Sequence, residues 1–273
     1  MYILTNNFIN ILRYGAFDEG KSISVLSAYK WGQLTLLAEH HNVLSYFANG
    51  LEKYYFDENL NIPQSEIDSI RHLLEETPRQ TFTDLYNFDK IHLHNKHYDR
   101  QLRNIVKKEY ADAEKSYPTM NIMSIIIQSV DQLLTGRSYL RGLIDLGVFL
   151  RKDGDKVDFV KLENWLKQSG VSRMSNLLAS MLTSVFGFTD DEIPFAESTD
   201  KRAFDILEKD LHCHETSKLK TWEYRTGRNG FSSGPSAAFR TIGHNLSLWR
   251  YAPGEVMSSI GRGILKGLSE IEE

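Results

Sequence analysis

Apolar residues recur along this chain at steps of three and four, the spacing that lines one face of an α-helix. Trp31, Leu34, Leu37, Ala38, His41, Leu44 and Phe47 form one such stripe. Residues 82–113 contain neither Pro nor Gly, and Ile91, Tyr98, Leu102 and Ile105 fall on one line, which predicts one long helix. Pro118 stands just before the apolar run Ile122–Leu134, which Gly136 ends. Proline suits a first helical turn, where its missing N–H is not needed. Ser138–Leu150 predicts a buried helix carrying Arg141 and Asp145 four apart, stopped by the polar turn Lys152–Asp155. Asp158 is placed to cap the next helix, with Phe159, Leu162, Trp165 and Leu166 inward and Gly170 at its end. Ser172 opens another, whose core face is Met174, Leu177, Leu178, Met181, Leu182 and Val185. A last helix is predicted over Leu246–Leu268, entered through Pro253.

Alternating strand-like runs are scarce, and none repeats at the spacing of a β-sandwich or a βαβ unit. The expected fold class is therefore all-α: an irregular multi-helix bundle with little or no sheet. Three regions are expected within one compact domain. Residues 1–115 form an N-terminal helical region with the long helix, 116–212 a helical core, and 213–273 a basic loop and C-terminal helix. Thr216–Ser236, rich in Gly, Ser, Arg and Lys, reads as the loop.

Hydrophobic residues at 41% and charged residues at 25% are ordinary for a soluble globular protein. The single cysteine, Cys213, rules out an intramolecular disulfide framework and is compatible with a reducing compartment. The first residues show no basic segment followed by a long apolar run, and nothing approaches a membrane span, so a cytoplasmic location is expected. Charge is unevenly spread. Residues 216–268 carry +6 (Lys218, Lys220, Arg225, Arg228, Arg240, Arg250, Arg262 and Lys266 against Glu223 and Glu255) within a net −4, leaving −10 elsewhere. This predicts a basic C-terminal region lying on an acidic body or receiving an acidic partner.

Three stretches, in order, carry a family resemblance. The first is Leu12-Arg13-Tyr14-Gly15 with the later Trp31…Leu37-Ala38-Glu39-His40-His41-Asn42-Val43. The second is Leu140-Arg141-Gly142-Leu143-Ile144-Asp145-Leu146, continued by Asp155–Trp165, Gly187 and Ile193-Pro194-Phe195. The third is Leu248-Trp249-Arg250-Tyr251-Ala252-Pro253-Gly254-Glu255. The chain resembles the nucleotidyltransferase-like proteins of polymerase-β type found in Bacteroidetes. That resemblance implies a catalytic mixed sheet with a Lys-Gly or Gly-Ser turn for phosphates and Asp-x-Asp carboxylates for divalent metal. Neither signature has its context here. None of the 18 glycines is followed by Gly or Ser, and Lys266-Gly267 sits in the last predicted helix. The only Asp-x-Asp, Asp153-Gly154-Asp155, lies in a polar turn. The expectation is a relative that has kept the helices and lost the catalytic core.

Other candidate chemistry is weighed on its context. Gly15-Ala16-Phe17-Asp18-Glu19-Gly20-Lys21-Ser22 spells the Walker A pattern, in which Gly15 and Gly20 would wrap phosphates, Lys21 contact them and Ser22 bind Mg²⁺. That motif needs a strand before it and a helix after it. His92, His94 and His97 cluster on the predicted long helix, where only His94 and His97 share a face. With Asp153 and Asp155, those two are the candidate metal ligands. Cys213 lies between His212 and His214, but a neighbour in sequence is not usually placed as a base. Trp222, Tyr224, Phe231, Phe239 and Trp249 interleave with the C-terminal cations, a pattern that holds single-stranded nucleic acid in other settings. With a negative net charge, a nucleic-acid partner is not expected. The expected function is a non-catalytic protein that binds another protein or a small molecule, without cofactor or membrane. The alternative is a nucleotide- or phosphate-handling enzyme using Mg²⁺ and nucleotide, a nucleotidyltransferase or a P-loop protein through Gly15–Ser22.

Overall fold

A computed structural model describes residues 3–77, 80–215 and 248–258. The fold is all-α, and no strand occurs among the described residues. The helices in chain order are α1 (Ile3–Phe17), α2 (Ala28–His40), α3 (Leu44–Tyr54), α4 (Gln64–Glu76), α5 (Phe82–Leu85) and α6 (Lys96–Ala111). They continue with α7 (Tyr117–Leu134), α8 (Leu140–Asp153), α9 (Phe159–Gln168), α10 (Ser172–Met181) and α11 (Ala203–Glu215). A helical turn follows at 253–258. Two compact units draw on the described parts of these ranges: 1–80, 181–187 and 201–230 in one, and 81–180, 188–200 and 231–273 in the other.

In the first unit α1 and α3 touch backbone to backbone. A Cβ on Gly15 would stand 1.9 Å from the Tyr46 carbonyl oxygen, and one on Gly50 2.0 Å from that of Ile11. Only glycine permits this approach. Phe8, Ile11, Leu12, Phe47 and Leu51 are buried in this unit, with the Phe8 and Phe47 rings 5.9 Å apart. The stripe from Trp31 to Phe47 is buried throughout, yet it spans two helices and not one. Asn42 breaks it at φ +54, a left-handed conformation that asparagine tolerates, while Val43 N–H returns to the Ala38 carbonyl at 2.9 Å. The residues between α1 and α2 lie against α1: the Asn7 amide donates to the Ser24 carbonyl at 2.6 Å and accepts the Ser24 N–H at 2.9 Å.

In the second unit α7 is the most deeply buried element, with Ile122, Ile125, Ile126, Ile127, Val130, Leu133 and Leu134 all fully enclosed. Pro118 occupies its first turn, as the sequence pattern predicts. α8 packs closely on it where Gly142 faces Ser129; a Cβ there would be 2.2 Å from Ser129 Oγ. The Asp158 side chain caps α9 by accepting the Lys161 N–H at 2.9 Å, and Gly170 follows its end at φ +68. α6 meets α9 through Lys161 Nζ and the buried Glu109 carboxylate, 2.7 Å apart.

Residues 82–113 are not one helix, contrary to the expectation from their periodicity. The four-residue α5 opens with a capping box between Thr81 and Asp84. Asn87 Oδ1 then takes the Asp89 N–H at 2.8 Å, and helix resumes only where Asn95 Oδ1 accepts the N–H groups of His97 and Tyr98. Short Asn and Asp side chains offer the backbone local partners that compete with the helical ladder. The connecting stretch is anchored by Ile91 and Leu93, both 1% exposed. The polar turn at Lys152–Asp155 also begins later than expected: α8 runs to Asp153 and tightens into a 3-10 turn at Gly154–Lys156. The expected loop Thr216–Ser236 and most of the expected final helix lie outside the described residues.

Candidate functional site

The break between α5 and α6 leaves a cleft of ≈ 300 Å³ in the second unit. Phe82, Thr83, Tyr86, Asn87, Phe88 and Asp89 line one side of it. Tyr110, near the end of α6, and Tyr117, Met120, Asn121 and Ser124, on the opening turns of α7, supply the rest. The four α7 residues are spaced i, i+3, i+4 and i+7, so a continuous helix presents them on one face. Its volume is at the lower end of small-ligand pockets, about 300–1,000 Å³.

Five aromatic side chains line the cleft beside its polar groups, and three of them are open to solvent. Phe82 is 39%, Tyr110 56% and Tyr117 55% exposed, values high for side chains of this size. Tyr86 and Phe88 are buried and form the deeper wall. The Phe82 and Tyr86 ring centroids are 5.0 Å apart. Between the rings lie two amides (Asn87, Asn121), two hydroxyls (Thr83, Ser124) and one carboxylate, Asp89. The Asp84 carboxyl beside the cleft is held below its ordinary value chiefly by the Thr81 hydroxyl, with the Thr81 N–H adding to it.

The Arg141–Asp145 pair stands directly behind this wall. Arg141 Nε donates to both Asp145 oxygens, at 2.9 and 2.8 Å, and the Tyr86 hydroxyl donates to Asp145 Oδ2 at 2.5 Å. The i, i+4 spacing predicts the ion pair; its third partner, 59 residues away in sequence, is not legible in that spacing.

The other sequence candidates do not converge. Gly15 lies inside α1 with its Cα against the α3 backbone, and no strand precedes it. Gly20 rests on the Tyr14 ring, the Lys21 carbonyl accepts the Tyr54 hydroxyl, and the Ser22 carbonyl accepts the Asn10 amide. α2 begins only at Ala28, so Lys21 and Ser22 open no helix and the phosphate-wrapping turn of a P-loop is not formed. His94 precedes α6 and pairs with Asp131, Nε2 to Oδ1 at 3.2 Å; His97 is exposed on the first turn of α6. The helical face expected to join them does not exist. Asp153 pairs with Lys156 at 2.6 Å and Asp155 is exposed on the following 3-10 turn. No group of three or more His, Cys, Asp or Glu side chains is placed for a metal ion among the described residues. The side chains of His212, Cys213 and His214, and the basic segment before Leu248, lie outside the described residues.

The cleft residues were missed at the level of sequence because the apparent long helix masked the break. The available signal was the run of Asn87, Asp89 and Asn95 inside that pattern, together with five aromatics between positions 82 and 117 that have no place on its apolar stripe. No helix among the described residues is long and apolar enough to cross a membrane. No family model, no curated protein and no solved structure matches this chain.

Proposed function

We propose that this chain is a non-catalytic binding protein of the cytoplasm, a helical relative of the polymerase-β-type nucleotidyltransferase-like proteins, whose cleft beside α5, α6 and α7 receives a small molecule. The observation that carries this reading is the cleft itself: exposed rings interleaved with amides, hydroxyls and one carboxylate are costly to leave wet and are typical of ligand pockets. Among the described residues no Lys or Arg lines it, a lining unsuited to a nucleoside triphosphate. Asp153 and Asp155, the pair expected to hold metal if the ancestral chemistry persisted, stand on a solvent-facing turn with Lys156 beside them.

The test uses methionine methyl groups as reporters, because Met120 lines the cleft and is one of only six methionines. A fragment library screened by methyl-labelled NMR is expected to contain members that shift Met120 saturably, and Tyr117→Ala is expected to weaken them. Silence at Met120 across the library, or turnover of a nucleotide with Mg²⁺, overturns the reading.

A further inference from the structure

Resting on the ligand-binding reading of this cleft, we infer that its ligand is an organic cation of the quaternary or fully methylated ammonium class, seated on aromatic faces and balanced by Asp89. Five aromatic rings and one acidic group line the cleft, without a basic one among the lining residues. Ring faces carry the negative part of the quadrupole, so clustered rings attract a cation, and the attraction grows as the site excludes water. Asp89 is exposed, with its N–H taken by Asn87 Oδ1 and its carboxylate in no ion pair among the described residues, leaving its charge available to a ligand. Lys115 Nζ stands 5.9 Å from the centroid of Tyr117, at the outer range of a cation–ring contact, and a ligand cation seated on that ring would displace it.

The distinction between a methylated and a plain ammonium follows from hydration. A primary ammonium is strongly hydrated and needs several acceptors aimed at its three N–H bonds. A methylated nitrogen has no such demand, and apolar methyl groups with a diffuse charge match rings better than amides. An anion would meet Asp89 without a cation in the lining to offset it. A neutral sugar would use the amides and hydroxyls but draw nothing from the charge of Asp89.

The experiment titrates the full-length protein with choline and with 3,3-dimethylbutanol, which has the same shape without the charge, reading the Met120 methyl signal. Choline is expected to saturate the signal and bind about tenfold or more tightly than the neutral isostere. Tyr117→Leu is expected to weaken choline about two- to fivefold, the worth of one exposed cation–π contact. Asp89→Asn is expected to weaken choline and leave the isostere unchanged. Both side chains are exposed, and circular dichroism of each variant checks that the helices persist. A short peptide bearing trimethyl-lysine, run in parallel, separates a free metabolite from a modified protein chain as the source; tighter binding of either supports the class. Equal binding of choline and its isostere overturns the inference while leaving the cleft a ligand site. So does silence of all the ammonium ligands when other fragments still shift Met120. Silence of every compound overturns both readings.

Discussion

Tyr86 joins the cleft to the helical frame through a single hydroxyl. Its ring forms part of the wall, while its O–H reaches an Asp145 carboxylate already engaged by Arg141. Hydrogen bonds to charged groups contribute about 1.5–3 kcal/mol net. Tyr86→Phe keeps the ring and removes this bond, so urea unfolding should show a loss of that size. A double-mutant cycle with Asp145→Asn should return a coupling of 0.5 kcal/mol or more, on the order expected for contacting residues; additive losses would show that the contact does not contribute. Gly142 sets the spacing of α7 and α8. An added Cβ meets Ser129 Oγ, a hydroxyl already bonded to the Ile125 carbonyl at 2.8 Å. Overpacking costs about 1–3 kcal/mol, against about 1 kcal/mol gained from replacing glycine by alanine in a helix. Gly142→Ala should therefore destabilise on balance, and adding Ser129→Ala should recover most of the loss in the same unfolding assay. These residues were partly legible. The Arg141–Asp145 spacing is a local fact, whereas the meeting of Gly142 with Ser129 depends on how two helices cross.

Among elements, the start of α6 shows how distant chain completes a local cap. Asn95 satisfies two of the first N–H groups of the helix, a device that its own sequence supplies. The N–H groups of His94 and Asn95 itself go to Glu255, whose buried carboxylate accepts them at 2.6 Å and 3.1 Å. A negative charge also suits the positive end of a helix dipole. Glu255→Gln should cost about 1–3 kcal/mol in thermal or denaturant unfolding, and Glu255→Ala more, since it leaves two partly buried donors without their carboxylate. An unchanged midpoint for Glu255→Ala would show that water replaces the carboxylate. Of the apolar residues that the sequence offers here as a surface needing cover, Leu248, Tyr251 and Val256 are buried, Trp249 is 43% exposed, and Leu246, Ile260 and Ile264 lie outside the described residues. Their acid neighbour was not singled out, because nothing in the sequence near Glu255 tells of an amide pair 160 residues away.

At the scale of the whole molecule, acid and truncation test the same packing. Burial pushes the Glu192 carboxyl up, but the Thr189 N–H and the Arg151 guanidinium, 2.8 Å away, overcome it and hold the group below its ordinary value. A carboxyl depressed in the folded state stabilises above its unfolded value and ceases to do so as pH falls through the folded value. Glu192→Gln should thus be less stable than the parent at neutral pH, with the difference shrinking in acid; a constant difference from pH 7 to pH 3 would remove the linkage. Deleting residues 245–273 should give an insoluble or destabilised protein, because Leu248, Tyr251, Ala252, Val256 and Glu255 leave the second unit together. A soluble truncation with an unchanged unfolding midpoint would defeat that expectation.

The sequence by itself determined the helical class, the bounds of α7 and α9, the start of α10, and the identity of several buried stripes. Helical period, proline at a first turn and Asp158 as a cap act over a few residues, and so they can be read locally. Tertiary structure decided where an unbroken pattern was interrupted, as at Asn42 and between α5 and α6. Burial of Ile91 and Leu93 against other elements outweighs the modest gain of continuing a helix through residues that already favour turns. It also decided the cleft. Aromatic rings from α5, the α6 end and the α7 face become one surface only when those segments pack, and no spacing along the chain records that meeting.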